Sequence, residues 1–228
     1  MSFMVDPTLV LGTEKFFATR RKIKDATLGL IGAGDLSGIS MSDVARAAGV
    51  SRGTIYNYFQ TPQEVFESLA ADFVQAMSVA VDKANLGQPD PAARVVNGLR
   101  RHFDWASEHP RWGRVLPRFF MSEEALQVGL RAHMLADLRA GLASGRFVLA
   151  TEDLEAVLAV VGGSVISTVA SLADQIMARP GADEVIVLLM TLLGVPRAEI
   201  LDMVASPLPP IDLSLVPFTH GLAGSTAV

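Results

Sequence analysis

The sequence contains no cysteine, and that absence excludes a disulfide framework, a thiolate zinc site and a cysteine nucleophile. Aromatic residues make up only 7% of the 228 residues, and charged residues only 19%. Hydrophobic residues make up 50%, so the chain is not a disordered polyampholyte. The length is sufficient for one or two domains with a buried core.

Basic and apolar targeting signals are also missing near the start of the chain. The first residues have neither a basic region nor an apolar stretch, so no secretory signal is predicted. The segment 156–173 carries no charge and approaches the length of a membrane span. It contains several Gly and Ser residues and has no aromatic or basic flank, which favours a helix buried in a protein core. We therefore expect a cytoplasmic protein without a membrane segment.

Strand signals are scarce, and helical periodicity dominates the sequence. Gly and Pro residues divide the chain into about nine or ten helices, which predicts an all-α fold. We expect three domains or segments: an N-terminal head over 1–60, a helical body over 61–205 and a Pro-rich tail over 206–228. The predicted helices cover residues 13–33, 41–48, 52–59, 62–85, 92–108, 111–120, 123–143, 152–177, 183–193 and 197–205.

The charge is divided between two parts of the chain. The overall net charge is −5, but residues 1–60 carry a net charge of +2 and the remainder −7. The acidic total therefore does not exclude binding to nucleic acid, because a basic face can be local. The run Arg20-Arg21-Lys22-Ile23-Lys24 could steer phosphates or could be an ordinary solvated helix face.

Residues 40–59 have the pattern of a helix-turn-helix. Ser40 and Asp43 form a capping-box start, Gly49 suits the tight turn, and Ser51 caps the second helix. The outward face carries hydrogen-bond donors and no acidic residue, as a helix in a major groove requires. A plain helical hairpin with a polar face is the alternative. The candidate DNA-binding residues are Ser40, Ser51, Arg52, Thr54, Tyr56, Asn57 and Tyr58.

The stretch ISMSDVARAAGVSRGTIYNYF over residues 39–59, followed by TPQEVF, resembles the signature of the tetracycline-repressor (TetR) family of transcription regulators. The resemblance is specific from about Thr13 to Phe66 and general beyond it. It implies an all-α homodimer with a three-helix DNA-binding head and a divergent ligand-binding body. By position it implies that Ser40, Tyr56 and Tyr58 contact the DNA backbone. It also implies that Arg52, Thr54 and Asn57 face base edges.

The body concentrates the larger aromatic residues between positions 103 and 120. In the family that the chain resembles, a cavity lies among these middle helices, so these side chains are candidate ligand contacts. Ordinary core packing is the alternative for each of them. No set of residues has metal-ligand spacing, so neither a metal nor a cofactor is expected. The candidate ligand-binding residues are His102, Trp105, Trp112, Phe119, Phe120 and His133.

The helices at about 152–177 and 183–193 are apolar on more than one face, which predicts burial against a second copy of the chain. A purely intrachain core is the alternative. Together these patterns predict a regulator, most simply a repressor. It would bind a palindromic double-stranded operator as a dimer and be released by a small apolar or aromatic effector. A DNA-binding regulator without an effector is one alternative. An all-α enzyme is another, although no catalytic constellation supports it.

Overall fold

The computed structural model describes residues 7–33, 38–115, 130–212, 214 and 216. Within these residues there is no strand, and the prediction of an all-α fold is confirmed. The described residues form ten helical segments. They are α1 (Pro7–Ala33), α2 (Met41–Ala48), α3 (Arg52–Ile55), α4 (Pro62–Ala84), α5 (Pro91–Glu108), α6 (Pro110–Val115), α7 (Leu130–Ala143), α8 (Leu154–Ala173), α9 (Arg179–Leu192) and α10 (Arg197–Ala205).

The ends of the later helices differ from the predicted bounds for local reasons. α8 begins after Asp153, whose carboxylate accepts hydrogen bonds from the backbone N–H groups of Glu155 and Ala156. It ends at Ala173, and Gln175 then takes a left-handed φ of 58°, which breaks the helix before Met177. α9 begins at Arg179 because Pro180 occupies the first turn, where its missing N–H is harmless.

The chain divides into two compact units, and the boundary between them falls inside α4, between Leu69 and Ala70. The sequence analysis placed a boundary at residues 60–61, just before this helix. In the first unit, α1 and α2 pack on each other and α3 packs on α2. Its core includes Ile23, Val44 and Ile55, each with no exposed side-chain surface.

The second unit has α5 at its centre, with α7, α8, α9 and α10 packed around it. Its core includes Phe103, Leu138, Ile186, Met190 and Ile200, all of which are almost completely buried. Arg179 joins two helices: its guanidinium donates to the carboxylates of Asp104 on α5 and Asp183 on α9, each at 2.6 Å.

Helix α8 is long and apolar enough to cross a membrane, with a mean hydropathy of 2.0 in its most apolar window. Length and composition alone are weak evidence, because core helices of soluble proteins pass the same test. In this fold 44% of that window is buried inside the chain, including Val161, Val165 and Val169.

The segment after α10 is not helical over residues 206–212, as its prolines predict. Two arginines of α5 hold it in the second unit. Arg100 donates to the carbonyl oxygen of Ser206 at 2.7 Å, and Arg101 donates to that of Pro209. The beginning of the tail is therefore an ordered strap along α5.

Candidate nucleic-acid interface and a ligand-sized cavity

Helices α2 and α3 form the predicted helix-turn-helix. Gly49 closes α2 with a left-handed backbone, φ 59° and ψ 39°. A residue with a Cβ atom would be strained there. The backbone N–H groups of Gly49 and Val50 donate to the carbonyls of Arg46 and Ala45, which ends the helix by a hydrogen-bonded turn. The turn between α2 and α3 is thus only three residues long.

Helix α3 is shorter than predicted, because regular α-helix ends at Ile55 rather than Phe59. The chain continues as a tightened turn in which Asn57 and Tyr58 donate to the carbonyls three residues earlier, Thr54 and Ile55. The side chain of Gln60 then donates to the carbonyl of Tyr56 at 2.6 Å. Ile55 and Phe59 still share a buried face, as their spacing predicts.

The outward face of this turn is open to solvent. Arg52, Tyr56 and Asn57 are exposed, while Thr54 and Tyr58 are half-buried. Ser51 caps α3, since its hydroxyl accepts from the N–H of Thr54 and lies 2.7 Å from the Thr54 hydroxyl. The face thus presents a guanidinium, an amide and two phenols, and no carboxylate among these residues.

Tyr58 is held in position by Phe16 of α1, a contact that the sequence analysis missed. The two rings are stacked, with centroids 4.8 Å apart and an interplanar angle of 28°. The side chain of Phe16 is itself 42% exposed. Phe16 therefore orients the ring of Tyr58 by stacking on it and leaves the phenol uncovered.

Ser40 starts α2 through a complete capping box. Its hydroxyl accepts from the N–H of Asp43, and the Asp43 carboxylate accepts from the N–H and the hydroxyl of Ser40. These hydrogen bonds hold the pKa of Asp43 below its usual value. The hydroxyl of Ser40 is therefore engaged within the protein, and its predicted contact with a phosphate stays a prediction.

The basic run of α1 is divided between different environments. Arg20 lies over the ring of Phe59, with the guanidinium carbon 5.0 Å from the centroid. Arg21 and Lys22 are exposed, and Arg21 lies 4.0 Å from the carboxylate of Asp25. Lys24 is buried. Of the four cations, Arg21 and Lys22 are therefore the ones placed in solvent.

The second unit contains a cavity of about 70 Å³ between α4, α5, α7 and α8. By volume this is room for about five waters. Most of its lining surface is apolar. The apolar wall consists of Val81, Val95, Leu99, Met134, Val161 and Val165.

Two ion pairs close the polar side of this cavity. The Nδ1 atom of His133 lies 2.6 Å from a carboxylate oxygen of Asp82, and the Nε atom of Arg94 donates to Asp137 at 2.7 Å. Burial raises the pKa of Asp82, and the neighbouring charge of Asp137 adds to this against the opposing effects of His133 and Arg94. The Arg94 guanidinium and the His133 imidazole on this side thus each already have a carboxylate partner.

His102 lines the same cavity from α5. Its Nδ1 atom lies 2.7 Å from the carbonyl oxygen of Gly98, one helical turn earlier. Burial lowers the pKa of His102, and the bond to Gly98 only partly offsets this. The imidazole is therefore neutral at pH 7 and lies deep in the fold, although its cavity-facing edge retains accessible surface.

Family models match both units of the chain. Residues 23–69 match the model of bacterial regulatory proteins of the tetR family, and residues 90–206 match the tetracyclin repressor-like C-terminal domain. The second match alone covers half of the sequence. The chain belongs to the tetracycline-repressor family.

Curated proteins similar to this TetR-family chain match it over part of their length. The HTH-type transcriptional regulator AlkX of Mycobacterium tuberculosis is 42% identical over 95 residues, which is 40% of this chain and 44% of AlkX. The HTH-type transcriptional repressor KstR of Mycolicibacterium smegmatis is 28% identical over 127 residues, 54% of this chain and 61% of KstR. The nucleoid occlusion factor SlmA of Actinobacillus pleuropneumoniae is 23% identical over 114 residues, 50% of this chain and 56% of SlmA. The chain thus spans about half the length of these relatives.

Solved structures share the TetR-family fold. RolR in complex with resorcinol aligns with a TM-score of 0.71 and 23% identity, covering 88% of this chain and all of RolR. The fatty acid degradation regulator FadR from Bacillus halodurans aligns with a TM-score of 0.51 and 21% identity, covering 78% of this chain and 97% of FadR. At these identities the likeness establishes the fold alone.

The predicted ligand contacts of this TetR-family chain are separated by the structure. His102 and His133 line one cavity, although they are far apart in sequence. Trp105 does not line it: its ring packs on Phe73 with centroids 4.2 Å apart. The side chain of Trp112 and the whole of Phe119 and Phe120 lie outside the described residues. The roles of all six residues stay predictions.

Proposed function

We propose that this protein is a transcription regulator, most simply a repressor, that binds a palindromic operator as a homodimer. The observation that carries the proposal is the acid-free, solvent-exposed face of the helix-turn-helix, in a chain of the TetR family. A guanidinium and a carboxamide can bond in bidentate fashion to guanine and adenine in the major groove. Phenol and serine hydroxyls suit phosphate oxygens.

The proposed dimer interface lies on α8 and α9. Along α8 the residues Ala156, Ala159, Val160, Gly163 and Ser167 repeat at helical spacing and are exposed, although they are apolar or small. Apart from the adjacent residues and the backbone of α8 itself, no described atom lies within 4 Å of the position that a Cβ would take at Gly162 or Gly163. On α9, Leu188 is 68% exposed. A stripe of this kind fits a second copy packed by two-fold symmetry.

The proposed effector site is the cavity of the second unit. Its aliphatic wall suits a small apolar or aromatic molecule, and a protein of the same fold, RolR, has been solved with resorcinol. If ligand binding and operator binding favour different conformers, each weakens the other by the same factor. Such a regulator acts in the cytoplasm, where its operator is found.

The test is DNA binding to the region flanking the protein's own gene, measured by fluorescence anisotropy. Substitution of Arg52 or Asn57 by alanine should weaken specific binding about tenfold or more, because one base contact is lost in each half-site. Arg139→Ala is the matched control, because it removes an exposed arginine of the second unit. Equal binding by the wild type, Arg52→Ala and Asn57→Ala would refute the proposed recognition face.

A further inference from the structure

The cavity of the second unit has polar atoms that no group in the described part of the chain satisfies. One of them is Nε2 of His102. The Gly98 carbonyl can only accept a hydrogen bond, so the Nδ1 atom of the neutral ring carries the proton and donates it. The other ring nitrogen, Nε2, is then a bare acceptor. No described group bonds to it.

This Nε2 atom is also reachable from the cavity. Among the described residues, the fully buried side-chain nitrogen and oxygen atoms without a partner are Oε1 of Gln75, Nε of Arg100 and Nε1 of Trp105. His102 is not among them, so its unpaired nitrogen keeps surface that a ligand can touch. A molecule filling the cavity without a donor would leave this acceptor desolvated and unpaired, which is costly.

Ser78 supplies a second unpaired group from α4. Its residue surface is only 4% exposed and it lines the cavity. In the described part of the chain its hydroxyl has no hydrogen-bond partner, yet it too is absent from the fully buried unpaired atoms. Because Ser78 lines the cavity, a ligand there is within its reach. A serine hydroxyl both donates and accepts, so it can serve the same ligand group from the other side.

The charges at the rim disfavour an anionic ligand. Asp82 and Asp137 contribute two carboxylates, whereas Arg94 and His133 are already engaged with those carboxylates. A carboxylate ligand would enter an apolar cavity in which no described lining residue offers a cation without a partner, and it could not donate to Nε2 of His102. A hydrocarbon would satisfy the aliphatic wall but neither polar atom.

We propose that the cavity selects a small uncharged ring carrying a hydroxyl or N–H donor, oriented by donation to Nε2 of His102 and by Ser78. This inference rests on the proposed function only in treating the cavity as the effector site. The wall formed by Val81, Leu99, Val161 and Val165 covers the ring. The ligand class is therefore that of simple phenols and comparable hydroxylated rings.

The test uses four probes of similar size: phenol, toluene, benzoate and benzylammonium. Binding to the full-length protein is measured by isothermal titration calorimetry at pH 7.5. We expect phenol to bind about tenfold more tightly than toluene, because toluene leaves the acceptor unpaired. Benzoate should bind at least tenfold more weakly than phenol. Equal affinity for phenol and toluene, or a preference for benzoate or benzylammonium, would overturn the proposal.

Variants locate the binding within the cavity. His102→Phe keeps a ring but removes the acceptor, and it should reduce the preference for phenol over toluene to about twofold or less. Ser78→Ala should weaken phenol binding about threefold to tenfold. Ser107→Ala is the matched control, because this α5 hydroxyl donates to Phe103 and does not line the cavity. If His102→Phe does not fold, Ser78→Ala and the probe series on the wild type still decide the question. Unchanged selectivity in a folded His102→Phe would contradict the assignment.

Operator binding by the same preparations separates the two proposals. If phenol binds as described but does not alter operator affinity, the ligand class stands and the effector role fails. If the operator is bound specifically but no probe binds, the ligand class fails and the regulator remains. Loss of operator binding in Arg52→Ala leaves the calorimetric result unaffected, because that residue belongs to the first unit.

Discussion

At the scale of single residues, His102 shows how a helix can place an acceptor inside an apolar cavity. One ring nitrogen bonds within its own helix, because Nδ1 donates to the carbonyl oxygen of Gly98, four residues earlier. Burial disfavours the charged imidazolium and lowers the pKa of His102. The outcome is a neutral, fixed tautomer whose remaining nitrogen can only accept. A protonated His102 would instead present a donor and a buried positive charge.

This arrangement predicts a pH dependence of stability. Well above pH 6.5 neither the folded nor the unfolded chain protonates His102, so the residue contributes nothing to the pH dependence. Below about pH 6.5 the unfolded chain binds a proton that the folded chain resists, so unfolding becomes more favourable as pH falls. Between pH 7.5 and pH 5.5 the loss is at most about 1.4 kcal/mol. Urea unfolding of the wild type and His102→Gln at both pH values measures it.

The variant should lose less stability over that interval than the wild type. His109→Gln is the control, because it removes another histidine that does not line the cavity. A wild type and a His102→Gln variant with the same pH dependence would show that His102 titrates alike in both states. The groups sharing the cavity with His102, Asp82, Asp137, Arg94 and His133, remain present in every variant.

Residue patterns alone predicted some of these roles and not others. Ser40, Gly49 and Ser51 were identifiable because their capping and turn chemistry is local. His102 and His133 were both predicted as ligand contacts, but their partners, the Gly98 carbonyl and the Asp82 carboxylate, could not be predicted, because the second contact depends on how α4 and α7 pack. The sequence predicts Trp105 as a ligand contact, which stays a prediction; in the structure its ring packs against Phe73 and does not line the cavity with His102. Contacts between elements that are distant in sequence could therefore not be predicted from local patterns.

At the scale of elements, the N-terminus of α5 is joined to α10 through one arginine. Asp90 caps α5 by accepting from the N–H of Ala92, and Arg146 donates to both carboxylate oxygens of Asp90. Arg146 also contacts the carboxylate of Glu199 on α10 at 2.8 Å. Burial opposes ionisation of Asp90, but the bonds from Arg146 and Ala92 prevail and lower the pKa of Asp90. The central helix thus begins at a charge-assisted clamp.

Substitutions at Asp90 should separate the cap from the ion pair. Asp90→Asn keeps an oxygen for the N–H of Ala92 but loses the charge, and should cost about 1 kcal/mol of unfolding free energy. Asp90→Ala loses both and should cost about 1 kcal/mol more. The lowered pKa of Asp90 means that folding favours its ionised form. The difference in unfolding free energy between the wild type and Asp90→Asn should therefore shrink as pH falls through the pKa of Asp90 in the folded chain. Chemical denaturation at several pH values measures these effects.

Asp153 provides the comparison for this prediction. It caps α8 by accepting from two backbone N–H groups, and no described arginine or lysine pairs with it. Asp153→Asn should therefore be nearly neutral, whereas Asp153→Ala should show the cost of a lost cap. If Asp90→Asn proved as harmless as Asp153→Asn, the bonds to Arg146 would contribute nothing measurable.

The bounds of helices were predictable to the extent that their signals were local. Pro62 and Pro91 begin α4 and α5 close to where the sequence predicted. α3 was predicted too long, because the spacing of Ile55 and Phe59 persists in a tightened turn that is not regular helix. α9 begins before its prediction because Pro180 was not recognised as a first-turn residue.

At the scale of the whole molecule, α8 and α9 each leave apolar side chains exposed to solvent. One side of α8 is in the core, while the opposite stripe has Val160 52% exposed. α9 likewise buries Ile186 and Met190 and exposes Leu188 and Leu192. Isolated apolar residues on a surface are ordinary, but repeated exposed apolar or small residues on two helices that pack on each other are typical of an interface. Two-fold pairing would also match the symmetry of a palindromic operator.

Charge placed on this stripe should therefore dissociate the dimer. The single chain has a mass of 24.3 kDa, and we expect the wild type to sediment at about twice this mass. Val160→Glu or Leu188→Glu would bury an unpaired carboxylate in each half of the interface, which costs several kcal/mol and raises the dimer dissociation constant about a hundredfold or more. Leu86→Glu is the control, because Leu86 is 81% exposed and follows α4. Sedimentation velocity over a concentration series measures the change.

The dissociated variants should also lose affinity for the full operator while a half-site is bound as before, since each head keeps its own recognition face. Dimers that persist in both stripe variants would place the interface elsewhere on the protein.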